Sequence, residues 1–144
     1  MVKKVEKPEV ESRPLLPIFD RMNDSYFGGL VVAGIGYRVL PIDPENVILG
    51  NCLHSERFIR INNILKDKEV PLMFLEYVVF HEMCHLVYHP GAAGEDGHED
   101  VDHNPRFQSL EKRYPYYRQA IEFDSTELPA IVEKWRNYRE SKNK

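Results

Sequence analysis

The sequence predicts an α+β domain in which a small antiparallel three-stranded sheet packs against helices, one of them buried and carrying the motif HExxH. Three features predict it. Apolar residues recur at three- and four-residue spacing near both ends, as Leu15, Ile18, Phe19, Met22 and Tyr26 and again as Leu128, Ile131, Trp135 and Tyr138. Three short stretches rich in β-branched residues lie between them. The span Leu72 to Tyr88 carries almost no charge beyond Glu76 and Glu82, and a helix apolar nearly all round belongs inside a protein.

Taken in order, residues 1 to 13 mix Lys, Glu, Pro and Val without period and read as a flexible N-terminal arm. The first helix starts after Pro14 and stops at Gly28-Gly29. Leu30 to Leu40 alternates in part and ends in the turn residues Pro41, Asp43 and Pro44, while Val47 to Leu53 and Arg57 to Ile61 supply two further strands. Pro71 suits the start of the buried helix, and His89-Pro90-Gly91 closes it. Gly91 to Asp102 is an acidic loop of small residues, expected to be exposed and mobile. Asn104-Pro105 opens a helix bearing Phe107 and Leu110 that stops before Pro115, Tyr116 to Phe123 adds a helical turn or two, and Glu127 to Glu140 forms a terminal helix. The domain proper is expected over residues 14 to 124, with 125 to 144 packed on or flanking it.

Composition narrows the function. A chain of 144 residues, 42% hydrophobic and 29% charged, has the makeup of one globular domain. At that size neither a disulfide nor a metal is needed merely to stay folded, so a bound metal would point to function. The two cysteines, Cys52 and Cys84, are far apart, which argues against a disulfide framework and for a reducing compartment, with the cytoplasm expected. The charged start, Met1 to Glu11, has no secretory character, and no run approaches the roughly 20 apolar residues of a membrane helix. A net charge of −4 recruits neither nucleic acid nor an anionic membrane.

The chemistry is concentrated in His81-Glu82-Met83-Cys84-His85. On a helix the two histidines lie one turn apart on one face, about 5 to 6 Å between Cβ atoms, so their imidazoles can share one ion. A catalytic zinc takes three protein ligands and leaves a fourth position for water. Glu82, beside the first ligand, can reach that water, take its proton during attack on a carbonyl and pass it to the leaving amine. Composition alone would produce an HExxH in about 2 to 3 of a hundred such chains. What raises its weight is its place on the buried helix, where two unpaired imidazoles and a carboxylate would be expensive without a partner. Three histidines are candidates for the third ligand. His89 lies too far along the same helix to converge on one ion and suits its C-terminal end. His98 sits in the acidic loop, and His103, at the start of the next helix, is best placed.

These residues, followed by His103-Asn104-Pro105-Arg106-Phe107, resemble the SprT-like (Spartan-type) zinc metallopeptidase domain. The resemblance extends to Asn23-Asp24-Ser25-Tyr26-Phe27-Gly28-Gly29-Leu30, to Ile59-Arg60-Ile61-Asn62 and to Tyr114-Pro115-Tyr116-Tyr117-Arg118, covering roughly Leu15 to Phe123. It implies zinc held by His81, His85 and His103, Glu82 as general base, a protein or peptide substrate, and a short antiparallel sheet beside the motif helix. Many members of that family carry a further cysteine-rich zinc or DNA-binding module, which two isolated cysteines do not form.

Lys3, Lys4 and Lys7, then Lys134, Arg136, Arg139, Lys142 and Lys144, cluster at the chain ends with Trp135 and Tyr138 among the latter, and read as a solvated helix face rather than a strand-binding surface. Tyr114, Tyr116 and Tyr117 suit packing and rim hydrogen bonds better than oxyanion stabilisation. Cys84 points to another face than His85 and reads as a small buried hydrophobe. Glu99, Asp100 and Asp102 suit either orienting His103 or keeping the loop soluble, and Gly91 to Asp102 is positioned to act as a flap. Two alternatives stand beside the hydrolase: a noncatalytic zinc-binding interaction domain, and a protease directed at DNA-bound proteins. Three imidazoles also suit several divalent ions other than zinc.

Overall fold

Helix α1 (Leu15–Tyr26) buries Leu15, Ile18, Phe19 and Met22, the stripe its spacing predicts. Gly28 and Gly29 end it with φ of +61° and +72°, a conformation that costs a glycine nothing and most residues a good deal. Buried Asn23 then closes the turn like a piece of backbone: its Nδ2 donates to Val31 O at 2.8 Å and its Oδ1 accepts from Val31 N at 3.0 Å. The computed structural model describes residues 5 to 87 and 105 to 143.

Five strands follow: β1 (Gly34–Arg38), β2 (Ile42–Asp43), β3 (Asn46–Val47), β4 (Gly50–Leu53) and β5 (Phe58–Asn62). The three-stranded sheet has the order β1-β5-β4, and it is mixed rather than antiparallel: β4 runs antiparallel to β5, but β1 pairs with β5 in parallel, Ile35 opposite Ile59 and Tyr37 opposite Ile61. The cause is burial. Ile59 and Ile61 are fully buried, and so is Asn62, so β5 takes the centre and is inserted between strands that precede it. The first strand is also shorter than Leu30 to Leu40: Leu30, Val32 and Val39 are exposed, and pairing begins where Gly34 N donates to Arg57 O at 2.8 Å. A small hairpin of β2 and β3, which the sequence reading does not separate, fills the gap between β1 and β4.

Asn62 ends β5 and starts a short 3-10 turn (Asn63–Lys66), accepting from Ile64 N at 3.2 Å while its Nδ2 donates to Leu40 O at 3.1 Å and Ile48 O at 2.8 Å. One fully buried amide thus joins three segments, and its satisfied polar atoms make its burial affordable. Residues read from the sequence as the end of a loose arm are held here too: Glu11 N donates to Lys66 O and Lys68 N to Glu9 O, both at 3.0 Å, and buried Arg13 donates to Leu65 O at 3.0 Å.

Helix α2 (Leu72–Val87) is the centre of the core, touching α1, β4, β5, α3 (Pro105–Glu111) and α4 (Tyr117–Thr126). Its all-round apolar composition therefore has the predicted consequence, with Phe74, Leu75, Val79, Phe80, Met83 and Cys84 almost fully buried. Strand β4 lies against it through Gly50, where a Cβ would stand 3.2 Å from Val78 Cγ1 and 3.1 Å from the carbonyl oxygen of Arg60. Gly50→Ala is expected to force strand and helix apart and lower stability by about 1 to 3 kcal/mol, read as a lower urea midpoint at unchanged slope. Helix α5 (Leu128–Lys142) closes the core with Leu128, Ile131, Val132 and Trp135, so the C-terminal segment belongs to the same core. Among the described residues no helix is long and apolar enough to cross a membrane.

Candidate metal centre

The helical spacing of His81 and His85 puts both imidazoles on one side of α2, and the rings stand 4.8 Å apart between centroids, nearly perpendicular. Their Nε2 atoms face each other at 3.2 Å. Two nitrogens bound at about 2.0 to 2.1 Å to a tetrahedral ion are separated by about 3.3 to 3.4 Å, so the pair fits two corners of a zinc site almost without movement. The same spacing suits a hydrogen bond between the rings in metal-free protein. Phe107 of α3, fully buried, lies on both rings, 4.4 Å from His85 and 5.3 Å from His81 between centroids.

Glu82 is 5% exposed, inside the core and within electrostatic reach of His81. Burial, opposed by the charge of His81 and reinforced by that of Glu111, pushes its carboxyl up to about 7. His81 is held above its ordinary value although burial alone would lower it, because the hydrogen bond and charge of Glu111 and the charge of Glu82 outweigh that loss of solvation. Cys84 is fully buried, and burial pushes its thiol up, away from the thiolate a metal would need.

Glu111, on α3, is the residue that sequence reasoning misses. Its Oε2 is hydrogen-bonded to Nδ1 of His81, on the ring edge away from His85, and it is 6% exposed. The available signal was weak: a glutamate one turn after Phe107 on a helix with little other apolar surface. Tyr114 is buried, donating to Met73 O at 2.8 Å and reaching Glu76 Oε1 at 3.3 Å, and so pins the segment after α3 to the start of α2. Tyr116 is exposed. His103, His89, His98, Glu99, Asp100, Asp102 and the flap from Gly91 to Asp102 lie outside the described residues, as do Tyr88, Lys3, Lys4 and Lys144.

Among the described residues, no group of three or more His, Cys, Asp or Glu side chains is arranged to hold a metal ion. The structure brings together the two ligand candidates His81 and His85, and buried Glu82 lies near enough to His81 to feel its charge. Searches against known protein families, curated proteins and solved structures return no match to this chain.

The basic run at the C-terminus is only partly a solvated face: Lys142 is exposed, but Lys134, Arg136 and Arg139 are half-buried and engaged. Arg139 donates to Leu40 O at 2.7 Å, and to Asn62 Oδ1 and Asn63 Oδ1 at 3.2 and 3.1 Å, while Arg136 donates to Ile42 O at 2.8 Å. Lys134 sits 2.9 Å from both Asp67 and Glu69. These cations fasten α5 to the sheet and the β2–β3 hairpin.

Proposed function

We propose that this chain is a zinc-dependent peptide-bond hydrolase of the SprT-like kind. The observation that carries the reading is the pair of Nε2 atoms at 3.2 Å on a buried helix with a buried carboxylate between their positions in sequence. A core has little use for such a group unless a cation or a reaction occupies it. His81 and His85 supply two ligands, and His103 is taken as the third. In support, Phe107, four positions after His103 in the sequence, packs against both imidazole rings.

A zinc ion held by these residues would supply Lewis acidity to a scissile carbonyl and to water. With zinc held there, Glu82 would be the group to accept a proton from the attacking water as its oxygen bonds to the carbonyl carbon, and to return that proton to the amine nitrogen as the C–N bond breaks. Phe107 packs against both half-buried imidazoles, and the lower polarity it brings to that side strengthens electrostatic contacts there. The test is metal content by mass spectrometry on tag-free protein, comparing wild type with His81→Ala and His103→Ala. One equivalent of zinc in the wild type, lost or much weakened in both variants, is the expected result. A folded wild type that takes up no zinc overturns the proposal, and zinc held without turnover favours the noncatalytic interaction domain.

A further inference from the structure

The contact between Glu111 and His81 has no place among ligands or reacting groups, yet it ties a buried carboxylate to the imidazole of a ligand candidate. Glu111 is 6% exposed, and a glutamate is that deeply buried only when it is paired. It meets Nδ1, whereas the nitrogen turned toward His85 is Nε2, so its carboxylate stands behind the ring and outside the space between the two imidazoles. Phe107, one turn earlier on α3, lies on both rings, so a single helix face presses on the pair and reaches behind His81. Tyr77, one turn before His81 on α2, is nearly buried and lies close enough to Glu111 to feel both its charge and a hydrogen bond.

We infer that Glu111 is a positioning residue: its carboxylate accepts the Nδ1–H of His81, fixes the ring's tautomer and orientation, and keeps the Nε2 lone pair aimed at the ion. The inference rests on the zinc reading of this site. A hydrogen-bonded carboxylate behind a histidine ligand raises the ligand's basicity, and losing it typically weakens metal binding about 10- to 100-fold. Glu111→Ala should therefore weaken zinc affinity by about that factor in competition with a chromogenic chelator, and Glu111→Gln, which keeps an acceptor oxygen without the charge, by about several-fold. Imidazole nitrogen NMR on metal-free protein at mildly alkaline pH gives a readout independent of zinc. His81 should be the Nδ1–H tautomer in the wild type and should shift toward Nε2–H in Glu111→Ala. Unchanged affinity and an unchanged tautomer in Glu111→Ala overturn the inference. If that variant does not fold, Glu111→Gln decides, with wild-type affinity overturning the inference and a several-fold loss supporting it. If the wild type binds no zinc, the hydrolase reading falls by itself, and the dependence of the tautomer on Glu111 still decides whether the carboxylate positions the ring.

Discussion

Glu82→Gln is expected to lose about 10²- to 10⁴-fold of peptide cleavage, the range a general base contributes, while still taking up one equivalent of zinc. The amide has the shape of the carboxylate but accepts no proton at neutral pH, so water loses its base and nothing else at the site changes. Stability should not fall with activity. Glu82 is 5% exposed and burial pushes its carboxyl up to about 7, so the fold opposes the charge that the substitution removes. Wild-type and variant protein would be compared on an unstructured peptide, with zinc content and thermal midpoint measured on the same preparations. Full cleavage by a zinc-loaded Glu82→Gln protein would show that another group takes the proton.

The motif was legible because its information is local. Residues four apart on a helix share a face whatever surrounds them, and the scarcity of charge from Leu72 onward marked that helix as buried. The same holds for Gly28-Gly29, where a backbone requirement is written in residue type. Glu111 was not legible, since it stands 30 positions from His81 in the sequence and nothing in its own neighbourhood announces the contact. Sheet order failed for a related reason. Alternation in β5 shows that it is a strand, but its place in the middle comes with the complete burial of Ile59 and Ile61, a tertiary outcome. The terminal cations misled because arginine and lysine have long stems. Their heads reach past the helix surface to the carbonyls of Leu40 and Ile42, and a charge pattern that looks solvated is consumed in docking.

Asp67→Ala is expected to be the most destabilising single change outside the apolar core, by about 3 to 5 kcal/mol. Asp67 is 1% exposed and sits where the N-terminal segment, the turn after β5 and α5 meet. Its Oδ2 accepts the indole N–H of Trp135 at 2.7 Å and faces Lys134 Nζ at 2.9 Å, and its Oδ1 accepts from Glu69 N at 2.7 Å. Alanine leaves a buried indole N–H and a backbone N–H without this acceptor, each costing about 1 to 3 kcal/mol, and strips Lys134 of its buried counter-charge. Asp67→Asn keeps one carbonyl oxygen but turns an NH₂ toward a donor, so about 1 to 3 kcal/mol is expected from it. Trp135 is the only tryptophan, so its fluorescence in urea reports the site directly. The loss should appear as a lower midpoint, with emission shifted to the red if α5 lifts away before the rest unfolds. A variant within about 1 kcal/mol of wild type would mean that another acceptor captures the indole, since an unmade buried hydrogen bond is not that cheap. Because Arg136 and Arg139 hold the same helix down, the result also tests whether the basic run exists for docking: if it does, undocking α5 frees those guanidinium groups, and only then should the protein acquire salt-sensitive affinity for single-stranded DNA.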